Sequence, residues 1–149
     1  MSVTNKFITL FVVICHLTSA TVYKDCGTNA ATIQSFDVSG CPQGTVPCPL
    51  KRNTNVSLAV ALTPTEDSTD ITNNLYGIIN GVKVPFPTEK DACKGNIPCP
   101  VKNGMATTYN LVIFVSPQYP KLRLVVDLEV KTDDGKYLVC AEFPAEIVD

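Results

Sequence analysis

Leu122-Arg123-Leu124-Val125-Val126-Asp127-Leu128-Glu129-Val130-Lys131 is the stretch on which the fold turns. Leu122, Leu124, Val126, Leu128 and Val130 fall on one side of a two-residue repeat, and Arg123, Asp127, Glu129 and Lys131 on the other. Side chains of a strand alternate between its faces, so this is a strand with one face on a core. Thr132-Asp133-Asp134-Gly135-Lys136 follows, with an Asp-Gly step that tolerates the positive φ of a tight turn, and alternation resumes at Val139, Ala141 and Phe143. The segment is a hairpin. Upstream, Tyr109, Leu111, Ile113 and Val115 alternate in the same way, as do Val56, Leu58, Val60 and Leu62 against Asn55, Ser57, Ala59 and Ala61. Thr32 to Val38 and Leu75 to Val84 are less regular strand candidates. No segment repeats at i, i+3, i+4 and i+7, and prolines cluster in Cys41–Pro49, Val84–Pro87 and Pro117–Pro120. The reading is all-β: about seven strands in a two-sheet sandwich.

Composition narrows the function. The 149 residues hold 12 Lys plus Arg against 14 Asp plus Glu, one His, seven Cys and no Trp. Lys6, the apolar run Phe7 to Leu17 and Thr18-Ser19-Ala20 have the form of a signal peptide, so residues 1–20 are expected to be removed and 21–149 to form the domain. That removal takes away Cys15 and His16, leaving no histidine and six cysteines. The apolar run is too short to span a bilayer. Without histidine there is no Ser-His-Asp or Cys-His catalysis, and cysteines in an oxidising compartment serve as bridges, so neither an enzyme nor a metal or cofactor site is expected. A slightly acidic chain without a basic stripe excludes nucleic acid. Asp127 and Glu129 share a strand face and are read as a solvated polar surface beside Arg123 and Lys131; Asp133 and Asp134 belong to the hairpin and not to a calcium loop. Asn55-Val56-Ser57 is a glycosylation sequon on the polar face of its strand.

Six cysteines allow fifteen pairings. Spacing favours the two short loops, Cys41 with Cys48 and Cys93 with Cys99, which leaves Cys26 and Cys140 to tie the first strand to the last. The longest loop gives the largest entropic constraint, about 4–5 kcal/mol against about 2–3 kcal/mol for each short one.

Lys24-Asp25-Cys26-Gly27, Cys41-Pro42 with Pro47-Cys48, the run Gly77-Ile78-Ile79-Asn80-Gly81-Val82-Lys83-Val84-Pro85-Phe86-Pro87, Cys99-Pro100, Tyr119-Pro120 and Leu124-Val125-Val126 together resemble the Niemann-Pick type C protein 2 family. This is the lipid-recognition (ML) domain group. The resemblance runs in order from about residue 22 to residue 148 and includes all six cysteines. It implies an immunoglobulin-like sandwich that holds a sterol or similar lipid between its sheets, and the same nested pairing of cysteines. It also implies a pocket mouth framed by Phe86 and Tyr119, accompanied by Val84, Pro87, Val115 and Pro120. Alternation adds Val38, Val56, Leu58, Leu111, Ile113, Leu124, Val126 and Leu128 as lining positions. Composition alone leaves two interiors open: one with vacancy, since inward positions are mostly Val, Leu and Ile, and one packed to native density.

Vertebrate sterol carriers of the group have Trp where this chain has Leu128 and Ala141; arthropod members are similar in lacking some of these rings and include carriers of fatty acids and semiochemicals. The resemblance thus implies a secreted, monomeric carrier, extracellular or in the lysosomal lumen, that takes sterol, fatty acid or other apolar lipid to a membrane, a membrane sterol transporter or a receptor. A sensor of microbial lipid is the alternative, although only Lys83, Lys121 and Arg123 supply cations near the mouth. Transient membrane contact is expected through Ile79 and Val82, assisted by Lys83 and Lys121 near anionic lipid. Non-reducing peptide mapping should recover the three nested bridges; Cys26 joined to any of the four central cysteines would overturn the sandwich.

Overall fold

The computed structural model describes residues 20–149; the expected leader otherwise lies outside the described residues. Among the described residues nine strands, more than the seven or so read from alternation, build an immunoglobulin-like sandwich: β1 (Lys24–Asp25), β2 (Ala31–Val38), β3 (Cys48–Lys51), β4 (Thr54–Pro64), β5 (Thr72–Ile79), β6 (Val82–Pro85), β7 (Thr107–Val115), β8 (Arg123–Lys131) and β9 (Tyr137–Val148). One sheet runs β1-β9-β8-β5-β6, with β3 also on β9; the other runs β2-β4-β7. The strands that alternation does not single out are β1 and β3, too short for a two-residue repeat to register, and β6, which is the second arm of the Leu75–Val84 candidate. Asn80 (φ 50°) and Gly81 (φ 77°) turn β5 into β6, using the left-handed conformations of a tight hairpin.

The inner faces are those the alternation marks. Val56, Leu58, Val60 and Leu62 of β4 face Leu124, Val126, Leu128 and Val130 of β8 within one apolar core. β2 reads irregularly because its register slips between Ile33 and Ser35: one extra residue moves the inward set from Ile33 to Phe36 and Val38. β9 carries Pro144 in its middle. Cys140 O accepts from Cys26 N and Val148 O from Arg52 N, whereas Ile147 N donates to Leu122 O. Even-numbered backbone groups of β9 therefore face β1 and β3. The N–H that Pro144 lacks falls at the gap where β1, paired through Glu142, ends and β3, paired from Ala145, begins.

Three disulfides join Cys26 to Cys140, Cys41 to Cys48 and Cys93 to Cys99. One end of the sandwich is also closed by a polar tie. The Tyr109 hydroxyl of β7 donates to Asn73 Oδ1 of β5 at 2.8 Å, and Asn73 Nδ2 donates to Glu89 O at 2.9 Å and Asn96 Oδ1 at 2.7 Å. Both Tyr109 and Asn73 are wholly buried, so every polar atom of the pair needs its partner.

The outer face of the larger sheet departs from the solvated surface expected. Asp127 is 1% exposed and Glu129 8%. Lys83, two strands away on β6, reaches across to hold Glu129 Oε1 at 2.8 Å and Asp127 Oδ2 at 2.9 Å, with its ammonium 4.6 Å from the centre of the Tyr76 ring. The Cys26–Cys140 bridge lies alongside, Cys26 Sγ being 4.0 Å from Asp127 Oδ1.

Burial raises the Tyr109 phenol above its ordinary 10.0, and hydrogen bonds to Glu129 and then Asp127 raise the Lys83 ammonium above 10.5. The folded state holds both protons more tightly than the unfolded chain does. Their stabilisation is therefore complete below about pH 10 and is lost as pH rises beyond it. Tyr109→Phe should cost about 1–3 kcal/mol at neutral pH, because Asn73 Oδ1 loses its buried donor, and should remove part of the alkaline loss. Urea titrations from pH 7 to 11 measure both; equal stability at pH 7 would refute the tie.

Candidate functional site

The end of the sandwich opposite Tyr109 is closed differently. β5 and β7 run on from Asn73 and Tyr109 to Leu75, Gly77 and Ile79 on one side and Leu111, Ile113 and Val115 on the other. There the gap between the sheets is covered by two rings. Phe86, just past β6, and Tyr119, in the turn between β7 and β8, meet edge to face with centroids 5.4 Å apart and planes at 86°. Phe86 N donates to Leu75 O at 2.8 Å, which fixes the backbone but leaves the ring held by packing.

Gly77 makes room for that ring. A Cβ at Gly77 would stand 3.0 Å from Phe86 Cε2 and 3.0 Å from Leu124 Cδ1, so any side chain here requires one or both to give by a few tenths of an ångström. Tyr119 is anchored from the other side: Arg52 Nη1 donates to Tyr119 O at 3.3 Å, while Arg52 Nη2 pairs with Asp149.

Three spaces meet at the two rings. Behind them, between the sheets, is a cavity of about 20 Å³ lined by Leu50, Leu75, Phe86, Ile113, Val115, Tyr119, Val126 and Ile147, all apolar but for the Tyr119 hydroxyl. Outside is a groove of about 290 Å³ formed by Ile79, Val84, Pro85, Pro87, Pro120, Leu122 and Leu124 with the same rings. On the β7 side a cleft of about 500 Å³ runs past Leu111, Val112 and Phe114 to Asn96 and Asn110, with Glu89 and Lys94 beside it. Phe86 and Tyr119 line all three. Small-molecule sites usually offer roughly 300–1,000 Å³. The inner cavity alone admits little more than a water-sized body, and Phe86 and Tyr119 border both it and the groove.

Of the positions nominated from sequence, Val84, Phe86, Pro87, Ile113, Val115, Tyr119, Pro120, Leu124 and Val126 gather here, and Leu111 lies on the cleft. Val56, Leu58 and Leu128 are buried elsewhere in the core, where facing side chains fill the gap, and Val38 borders a separate recess with Gly40, Cys41 and Ser57. Leu50, Leu75 and Ile147 were not nominated. Ile147 continues the alternation of Phe143 and Ala145, and Leu75 precedes Gly77 by one period, so both carried a signal; Leu50 sits in a four-residue strand behind Pro49 and carried none.

The lysines expected to attract an anionic membrane are engaged. Lys83 is held by Asp127 and Glu129, and Lys121 Nζ lies 2.9 Å from Asp149 Oδ2. On β6, beside the mouth, the exposed apolar side chains are Val82, 62% exposed, and Val84, 40% exposed. Among the described residues the one grouping with metal-ligand character is Cys26, Asp127 and Cys140, whose two sulfurs are already joined in a bridge.

Gly77→Val should force the Phe86 ring off β5 and destabilise the fold by about 1–3 kcal/mol, the usual range for overpacking. The same variant should abolish the mutual ring-current shifts of Phe86 and Tyr119 in NMR spectra. Unaltered shifts would show that the rings are not seated on Gly77.

The ML domain family model matches residues 20–147. The chain is 42% identical over 130 residues to the ecdysteroid-regulated 16 kDa protein of Manduca sexta, covering 86% of this chain and 89% of that one. It is 35% identical over 126 residues to mouse NPC intracellular cholesterol transporter 2, covering 84% and 83%. In three dimensions it resembles the crystal structure of a Niemann-Pick type C2 protein from the Japanese carpenter ant, with a TM-score of 0.80 and 26% identity, over 85% of this chain and 99% of that one. A family match across the described domain, relatives of this identity and a shared two-sheet architecture lead to one conclusion: the chain belongs to the ML-domain family.

Proposed function

We propose that this protein is a non-enzymatic lipid carrier of the secretory route, which takes a sterol or similar apolar lipid between its sheets and passes it to a membrane. The observation that carries this reading is the Phe86–Tyr119 contact, an apolar partition between a nascent cavity and an apolar groove. No charged side chain lines either space, so cargo is held by burial and not by polar chemistry. Removing ~400 Å² of ligand surface from water at ~25 cal/mol/Å² gives roughly 10 kcal/mol. Association costs of at least ~4 kcal/mol bring this toward micromolar affinity or somewhat tighter.

Sterol is favoured by the mouse relative, which is named a cholesterol transporter. A second reading, fatty acid or another flexible chain, rests on the interior itself. Leu128 and Ala141, which stand where the vertebrate carriers have Trp, are direct cross-strand partners on the inner face, both wholly buried. Neither side chain lines the narrow cavity beneath the rings. A flexible chain enters such a gap by turning two rings, whereas a rigid ring system also has to part the sheets.

A polar head would rest at the mouth beside the Tyr119 hydroxyl. Val82 and Val84 would meet the bilayer during transfer, in place of the lysines. A membrane sterol transporter or a receptor is the natural next station. Delivery to the extracellular space or to the lysosomal lumen, and action as a monomer, belong to the same proposal.

Binding of a fluorescent sterol and of a fluorescent fatty acid tests it. Phe86→Ala should weaken both about 10- to 100-fold through lost contact area, and Ile113→Trp, which plugs the passage between cavity and cleft, should weaken both while circular dichroism stays unchanged. Unaltered affinity in both variants would remove the site, and preference for one probe would choose between the two readings.

A further inference from the structure

We propose that Asn55 carries an N-linked glycan whose first N-acetylglucosamine lies flat on the Phe114 ring, with Val112 at its edge, as a permanent cover for the outer face of the three-stranded sheet. The inference is independent of what the cavity binds.

It begins with an anomaly. Phe114 is 53% exposed and Val112 61%, on the outward side of β7, while their neighbours across the strand are Asn55 and Ser57. An exposed aromatic beside an exposed valine on a sheet edge invites association with other chains. The two residues opposite them are the two functional positions of the Asn-Val-Ser sequon. In a strand, positions i and i+2 share a face, so Asn55 and Ser57 both point outward while Val56 enters the core.

Register brings the pair as close as a sheet allows. Asn110 N donates to Asn96 O at 2.8 Å, on the side of β7 away from β4, and Asn53 N donates to Val115 O at 2.7 Å, on the side toward it. Even-numbered backbone groups of β7 therefore point away from β4. Asn110–Ala59, Val112–Ser57 and Phe114–Asn55 are then all non-hydrogen-bonded pairs, the class in which facing side chains approach most closely.

In the modification, the Asn55 side-chain amide nitrogen displaces the polyprenyl diphosphate of a lipid-linked oligosaccharide at C1 of its first N-acetylglucosamine. The C1–O bond breaks, the N–C1 bond forms, and the amide nitrogen gives up one proton. The sugar so placed starts from the strand next to Phe114. One face of a pyranose is lined by axial C–H groups, which pack on an aromatic ring as an apolar surface, while its hydroxyls remain in water. The same cover screens β7 between Val112 and Phe114, where its backbone faces no further strand of the sheet.

The test uses the full chain secreted by insect cells. Intact mass should show one N-glycan, lost in Ser57→Ala, which removes the sequon without altering Asn55. Trimmed to a single N-acetylglucosamine, the glycoprotein should show sugar C–H protons shifted upfield by the ring. The melting temperature of the glycosylated chain should exceed that of Ser57→Ala by about 2–4 °C, and the same difference should vanish in a Phe114→Ser background. Secreted protein unmodified at Asn55 overturns the proposal. So do unshifted sugar protons, or an equal thermal difference in the two backgrounds. If Phe114→Ser does not fold, the proton shifts of the parent chain decide alone.

Discussion

The hydrogen bond from Tyr109 to Asn73 sets the terms for everything else in this sandwich. It joins the two sheets through wholly buried groups, and Asn73 passes the connection to Glu89 and Asn96 in the long segment between β6 and β7. A buried polar pair is stiff because neither partner can leave without an unsatisfied group in apolar surroundings. The sheets are therefore pinned at that end. At the other end they are held by Phe86 against Tyr119, a contact of ring on ring that can be remade at small cost in another arrangement. The interior is thus tied by hydrogen bonds at one end and covered by hydrocarbon at the other.

The outer face shows a different economy. Asp127 and Glu129 sit beside each other on β8 and would repel if left to themselves; Lys83 balances both, and it can do so because the β5–β6 hairpin lays β6 within reach. The hairpin that carries the mouth residues Val84 and Phe86 is thus fastened to the sheet by an ion pair on one face and by the Phe86 ring on Gly77 on the other. Its one cation is drawn back across the outer face of the sheet, while Val82 and Val84 of β6 stay exposed.

Much of this was legible before any coordinates. The strands β4, β7, β8 and β9 show in simple alternation, and the Asp-Gly hairpin shows in its turn chemistry. What escaped did so for identifiable reasons. β2 has a bulge, which breaks a period-two pattern in its middle. β3 is four residues with a proline, paired in parallel to a strand nearly a hundred residues away, and no local pattern records such a partner. Polar character alone placed Asp127 and Glu129 in solvent; their burial depends on Lys83, which reaches them from a strand not adjacent to theirs. Alternation distinguishes inward from outward but not near from far along the inner face. It therefore named Val56, Leu58 and Leu128 together with Ile113 and Val126, although only the latter two border the space beneath the rings.

β9 is partner to β1, β3 and β8, and it follows all three in the chain. During synthesis β1 and β3 leave the ribosome with no strand of this sheet to pair against, and Cys26 waits through a separation of 114 residues for Cys140. In that interval the two neighbouring thiols at Cys41 and Cys48 are closer in the chain than the proper one. The larger sheet is consequently completed only when β9 is made, and a mispaired bridge among the earlier thiols is corrected by thiol–disulfide exchange.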